Sequence, residues 1–169
     1  GDGGRDEPAF GVWFPAGHRR LSVVDVTWCR EGANVMAPSD ISPVLECVMR
    51  VFITGASGHI GSAVIPELLT NGHQVVGLAR SDASAEAIAA LGAEVRRGDL
   101  DDLDGLRQAA SESEGVIHLA FKHEAMRTGD FMGAVGSDLA AIQGMGETLP
   151  GTDKPFVTTG GTLMLAMAG

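Results

Sequence analysis

Short runs of β-branched and apolar residues alternate along the chain with stretches whose apolar positions recur every three or four residues, and the alternation begins at Met49. The runs read as strands and the longer-period stretches as helices. The pattern predicts strand one at Val51–Thr54, helix one from about Ile60 to Thr70 with Asn71-Gly72 as its stop, and strand two at Gln74–Leu78. Helix two follows over about Ala83–Leu91, ending at Gly92, and strand three at Glu94–Arg97. Helix three covers about Leu103–Ser111, strand four Gly115–Leu119, helix four about Phe131–Leu149 and strand five Phe156–Thr158. Strands joined by right-handed helical crossovers lie parallel with helices on both faces, so the expected fold is α/β, a doubly wound parallel sheet. It is expected to be incomplete at the C-terminus, because the chain stops soon after strand five.

Residues 1–48 carry no such periodicity. They scatter glycine, proline, arginine and both tryptophans, and only Leu21–Trp28, "LSVVDVTW", reads as a strand. The expected organisation is an N-terminal extension over 1–48, non-native or poorly ordered, and a folded domain over 49–169. Limited proteolysis is expected to trim the first and spare the second.

The junction of strand one and helix one reads "VFITGASGHIG", Val51 to Gly61. A loop at the C-terminal end of a sheet strand is where open α/β sheets bind ligands. Gly55 permits a sharp turn, Gly58 lets backbone approach a diphosphate, and Gly61 lets the helix pack tightly on the sheet. The amides of the first helical turn, from about His59 to Ser62, then face the phosphates with the helix dipole behind them. Glycines at this spacing signal a dinucleotide site because they follow an apolar strand and open a helix in the first βαβ unit.

With its TGxxGxxG spacing, the loop resembles that of the short-chain dehydrogenase/reductase superfamily, in particular the extended and atypical branches that include epimerases, dehydratases and reductases. The resemblance covers Met49 to about Thr162 and extends to "GDL" at Gly98–Leu100 and "IHLA" at Ile117–Ala120. It implies a Rossmann-like domain that binds NAD(P) and takes part in hydride transfer between nicotinamide and a carbonyl or alcohol. It implies that Gly55, Ser57, Gly58, His59, Ile60 and Gly61 hold pyrophosphate, that Asp99 and Leu100 lie at the adenine, and that Leu119 and Ala120 lie along the ribose and nicotinamide. His59 departs mildly, standing where the extended branch often has an aromatic residue.

The acid that accepts from the adenosine ribose at the end of strand two is missing; Ala79, Arg80 and Ser81 follow it instead. Arg80 offers a bidentate grip on a 2′-phosphate and Ser81 a hydroxyl, which favours NADP. The alternative is that Arg80 is solvated and Asp82 binds the ribose of NAD.

The family's proton-transferring Tyr within YxxxK has no counterpart, since the chain contains no tyrosine, and Lys122 and Lys154 follow no candidate. "FVTTGGT", Phe156–Thr162, resembles the strand that carries the family's carbonyl-orienting Ser/Thr, with Thr159 the first candidate and Thr162 the second. Two explanations fit: a cofactor-binding portion cut before the Tyr/Lys region of a longer reductase, or a module that binds dinucleotide without turnover and regulates a partner. The apolar tail "GGTLMLAMAG" favours the first, and if exposed would drive association such as a homodimer.

The remaining features exclude more than they add. A net charge of -10 argues against nucleic acid, which needs clustered cations. No run is long and apolar enough to span a bilayer and no signal segment opens the chain, so a cytoplasmic address is expected. Cys29 and Cys47 form no CxxC and read as ordinary thiols; His18, His59, His73, His118 and His123 lack ligand spacing, so no metal is expected and each histidine is expected to be structural or solvent-facing. Asp101 or Asp102 is expected to cap helix three. "FKHEAMRTGDF", after strand four, reads as a mobile loop whose Lys122 and His123 are solvated or touch substrate.

Overall fold

A computed structural model of the protein describes residues 48–160. The strand reading of Leu21–Trp28, together with His18, Cys29, Cys47, Thr162 and the apolar tail beyond Gly160, lies outside the described residues. Five strands, β1 (Arg50–Thr54), β2 (Gln74–Ala79), β3 (Glu94–Arg97), β4 (Gly115–His118) and β5 (Phe156–Thr158), form one parallel sheet in the order β3-β2-β1-β4-β5. Helices α1 (His59–Thr70), α2 (Asp82–Ala90), α3 (Leu103–Glu112), α4 (His123–Arg127) and α5 (Phe131–Gly146) make the crossovers.

Alternation along the strands divides the core in two. Phe52 and Val76 face one side, with Leu106, Ala109 and Ala110 of α3 and Ala141 and Met145 of α5. Val51, Ile53 and Val75 face the other, with Ile65 of α1 and Ile88 of α2. Helices therefore cover both faces, and the doubly wound sheet expected from the sequence is the fold. Phe52, Ile53, Ile65, Ile88 and Leu106 are at most 1% exposed, and burial of each such side chain contributes about 1.5–3 kcal/mol.

The helix stops follow the reading: Gly72 and Gly92 take φ of 81° and 88°, a region open to glycine. Several element ends shift by one residue, and three differences have a local cause. Strand β4 ends at His118 because the Ala120 amide leaves the ladder and donates to the Thr54 hydroxyl at 3.3 Å. The last helix closes at Gly146, where the amides of Thr148 and Leu149 tighten onto Met145 and Gly146. The stretch read as a loop after β4 contains α4, which is polar along most of its length. A Glu124–Arg127 ion pair and the Thr128 hydroxyl, which donates to the Glu124 and Ala125 carbonyls, close this short helix without any apolar period.

Candidate functional site

The central strand β1 has β2 on one side and β4 on the other, so the chain reverses its direction of travel across the sheet between β1 and β4. A crevice opens at the C-terminal ends of strands flanking such a switch point. It is lined by Gly55 and Ser57 after β1, Leu78, Arg80 and Ser84 around the end of β2, Gly98, Asp99 and Leu100 after β3, and Ala120 and Lys122 after β4.

The turn after β1 is built on glycine for steric reasons. Gly55 has φ of 70°, and a methyl group there would lie 2.7 Å from the Ala120 nitrogen. A methyl on Gly61 would lie 2.5 Å from both the Gly55 and Ala56 carbonyl oxygens. Gly61 thus admits the helix against the carbonyls of its own loop, rather than against the sheet as the sequence reading has it. The Gly58 amide donates to Gly55 and the Ser62 amide to Gly58, each at 2.9 Å. Gly58 is the helix N-cap and no side chain caps α1, so the amides of His59, Ile60 and Gly61 point out of the helix mouth. Ser62, expected in that set, is already bonded. Ser57, Gly58, His59 and Ile60 are exposed around this mouth. The residues fit a dinucleotide: bare amides, a positive helix end and a bridge over which backbone is open to an anion.

Opposite the mouth, a buried chain of hydrogen bonds holds the end of β4. The Thr54 hydroxyl is 2.7 Å from His118 Nδ1, and His118 Nε2 is 3.1 Å from the Asp138 carboxylate on α5. Thr54 and His118 are 0% and 1% exposed. Each donor finds an acceptor when His118 carries its proton on Nε2: Nε2–H donates to Asp138, the Thr54 hydroxyl donates to Nδ1, and the Thr54 oxygen accepts from the Ala120 amide. His118 is thus buried with a partner at each ring nitrogen. Thr54 and Asp138 escape the sequence reading; Thr54 is at least the register partner of His118, whereas Asp138 carries no local signal.

At the far end of the crevice, Arg80 is exposed and makes no ion pair among the described residues. Ser81 is also the cap of α2: its hydroxyl oxygen accepts from the Ser84 amide at 3.2 Å while its amide donates to the Ser84 hydroxyl, a capping box. Asp82, the rival ribose ligand, pairs instead with Arg97 at the end of β3. Exposed pairs of this kind contribute roughly 0.2–1 kcal/mol.

Of the acids in "GDLDDLDG", Asp102 is the cap of α3, accepting from the Gly105 amide at 3.0 Å. Asp99 is exposed and accepts from the Asp101 amide, while Leu100 is buried in the core and touches the crevice with its edge. Asp101 takes the Lys122 ammonium at 2.5 and 2.6 Å and the Ser137 hydroxyl at 2.8 Å. The bond from Lys122, then that from Ser137, holds its carboxyl below the ordinary aspartate range. A folded pKa below the unfolded one makes this contribution complete at neutral pH, and it is lost as pH falls through the folded value. In an NMR titration the Asp101 side-chain carbon is expected to show a midpoint below the usual value of about 3.9, moving upward in Lys122→Ala. A midpoint unchanged by that substitution would rule out the bond.

Leu119 donates its amide to the Thr54 carbonyl at 3.1 Å and packs into the face containing α1 and α2. The Thr159 amide donates to the His118 carbonyl at 3.2 Å, and its hydroxyl is directed to the same oxygen at 3.5 Å. His123 packs edge-on against Phe121. Among the described residues no group of three or more His, Cys, Asp or Glu is placed to hold a metal ion, and no helix is long and apolar enough to cross a membrane.

Comparison with known proteins agrees with this geometry. An uncharacterized protein of Saccharomyces cerevisiae, YLL056C, is 51% identical over 119 residues, which are 69% of this chain and 39% of that protein. An uncharacterized protein of Schizosaccharomyces pombe is 41% identical over 121 residues, 72% of this chain and 40% of its own length. A sterol-4-alpha-carboxylate 3-dehydrogenase (decarboxylating) of Dictyostelium discoideum is 40% identical over 74 residues, 44% of this chain and 23% of the enzyme. The chain therefore spans about two-fifths or less of these relatives. The family model described as NAD(P)H-binding matches residues 55–146, from the first glycine of the turn to the end of α5. With an uncapped helix mouth at the switch point of a doubly wound sheet and that match across it, the chain belongs to the NAD(P)H-binding family.

Proposed function

We propose that the chain is the cofactor-holding part of an NADP-preferring oxidoreductase of the extended or atypical short-chain type, whose whole protein moves hydride between nicotinamide and a carbonyl or alcohol carbon. The observation that carries the reading is the uncapped mouth of α1, with the amides of His59, Ile60 and Gly61 unbonded beyond the end of the central strand, next to the crevice that Gly55 and Ser57 line. In this reading Gly55, Ser57, Gly58, His59, Ile60 and Gly61 take the pyrophosphate, Arg80 the 2′-phosphate, Asp99 and Leu100 the adenine, and Leu119 and Ala120 the ribose and nicotinamide side. Thr159, beside the end of β4, orients the substrate carbonyl once its hydroxyl turns from His118. The bound dinucleotide supplies the hydride; the chain's own residues bind and orient it. The likeness to a dehydrogenase acting on a sterol carboxylate supports hydride chemistry.

Calorimetric titration with NADPH and NADH tests the proposal. NADPH is expected to bind more tightly, and Arg80→Ala to weaken NADPH about tenfold, roughly 1.4 kcal/mol, while leaving NADH unchanged. Equal affinity of the unsubstituted chain for both nucleotides, or an NADPH affinity indifferent to Arg80, would overturn the NADP preference. The absence of any tyrosine favours a second reading, a dinucleotide-binding module that regulates a partner without turnover. The readings part on one result: hydride transfer upon joining the chain to a C-terminal continuation supports the first, and a nucleotide-dependent change of oligomeric state without turnover supports the second.

A further inference from the structure

Ala79 and Arg97 are register partners on adjacent parallel strands, so Arg80 leaves the sheet one position beyond the level of Arg97. Strands in a sheet lie about 4.8 Å apart, and both arginines line one open crevice at the ends of β2 and β3, with Ser81, Asp82 and Gly98. Arg80 makes no ion pair among the described residues, whereas Arg97 is paired with Asp82. That pair is open to water, with side chains 53% and 90% exposed. Its Coulomb attraction is therefore screened, and another anion can exchange for the carboxylate.

We propose that Arg97 is a second cation for the 2′-phosphate and that Asp82 is its internal counter-anion, occupying the guanidinium until the phosphate displaces it. The inference rests on the NADP reading above and deepens it. A phosphate monoester brings more negative charge than a carboxylate and three acceptor oxygens, enough to engage two arginine forks at once. With NADH, which lacks the phosphate, the Asp82–Arg97 pair stays closed and Arg97 contributes nothing to affinity. Asp82 thus lowers the affinity for NADPH without barring it. Selectivity is set by a competition among three side chains, with Arg80 the only one of them left open.

The experiment is calorimetric titration of the full chain with NADPH and NADH, and with adenosine 2′,5′-bisphosphate against adenosine 5′-monophosphate to isolate the 2′-phosphate. Arg97→Ala is expected to weaken NADPH and the bisphosphate about tenfold and to leave NADH and the monophosphate within twofold. Asp82→Asn is expected to tighten NADPH severalfold, and the gain is expected to vanish in the double variant Asp82→Asn/Arg97→Ala. Circular dichroism and melting check that each variant folds; both positions are exposed, and Arg97→Gln is the substitute should Arg97→Ala fail. An Arg97→Ala variant that binds NADPH as the unsubstituted chain does, or that loses both nucleotides equally, overturns the proposal. If Arg80→Ala is selective and Arg97→Ala is not, only the role of Arg97 falls; if neither is selective, the NADP reading falls with it.

Discussion

Replacing Gly61 with alanine is expected to abolish measurable dinucleotide binding and to lower the melting temperature by roughly 5–10 °C. The added methyl would stand 2.5 Å from two carbonyl oxygens, those of Gly55 and Ala56, and both belong to backbone. Neither can turn aside as a side chain would. Gly55 is fixed by its φ of 70° and by the Leu119–Ala120 backbone, which leaves no room even for a methyl beside it, so the helix rather than the loop must move. Overpacking of this kind costs about 1–3 kcal/mol, and in a domain of this size each kcal/mol moves the midpoint by roughly 3–5 °C. Shifting the first turn of α1 also re-aims the amides of His59, Ile60 and Gly61 together, which removes the anion site. Gly58→Ala separates the two effects. Its methyl would meet only the Gly55 oxygen at 3.1 Å, and its φ of -79° suits any residue. It is expected to fold with little change in melting while losing about tenfold in affinity, because the methyl stands where a diphosphate approaches. Thermal melts and titrations on both variants decide; an alanine at 61 that leaves binding intact would remove the helix mouth from the site.

What the sequence shows and what it hides follow from how far each feature reaches along the chain. Strands β3 and β5, edge strands without a fully buried residue, fall at the expected bounds because the regular alternation of strand and helix places them, and the glycine stops at Gly72 and Gly92 are legible because positive φ leaves a local mark on residue choice. The glycine loop is legible for the same reason. Ser81 shows the limit: a hydroxyl at a strand end looks like an anion donor alone, but three residues on stands Ser84, and the Ser81 oxygen also caps α2 by accepting from the Ser84 amide. Helix α4 is hidden because its stabilising contacts are polar and lie within single turns. That Arg80 and Arg97 line one crevice depends on strand register, which no local pattern specifies between two parallel strands. Asp138 reaches His118 across 20 residues and from a different layer of the fold, so only the packed structure brings the two together.

That buried chain of bonds carries the second large expected effect. Thr54→Val keeps the shape of the side chain and removes its oxygen, leaving His118 Nδ1 and the Ala120 amide without partners. A buried group stripped of its bond costs about 1–3 kcal/mol, so a loss of roughly 2–4 kcal/mol is expected in chemical denaturation. The Ala120 amide lies against Gly55, where a methyl would come within 2.7 Å, so the wall formed by the end of β4 loosens exactly where it lines the crevice. Dinucleotide affinity is expected to fall about tenfold as well. Thr54→Ser restores the oxygen and should recover both quantities apart from the small loss of one methyl. Asp138→Asn still presents a carbonyl oxygen to His118 Nε2 and should be mild, whereas Asp138→Leu strips the acceptor and should weaken stability and binding together. If Thr54→Val and Thr54→Ser bind alike, the hydroxyl plays no part in holding the wall. The fold would then owe the position of Ala120 to the Leu119 amide's bond with the Thr54 carbonyl alone.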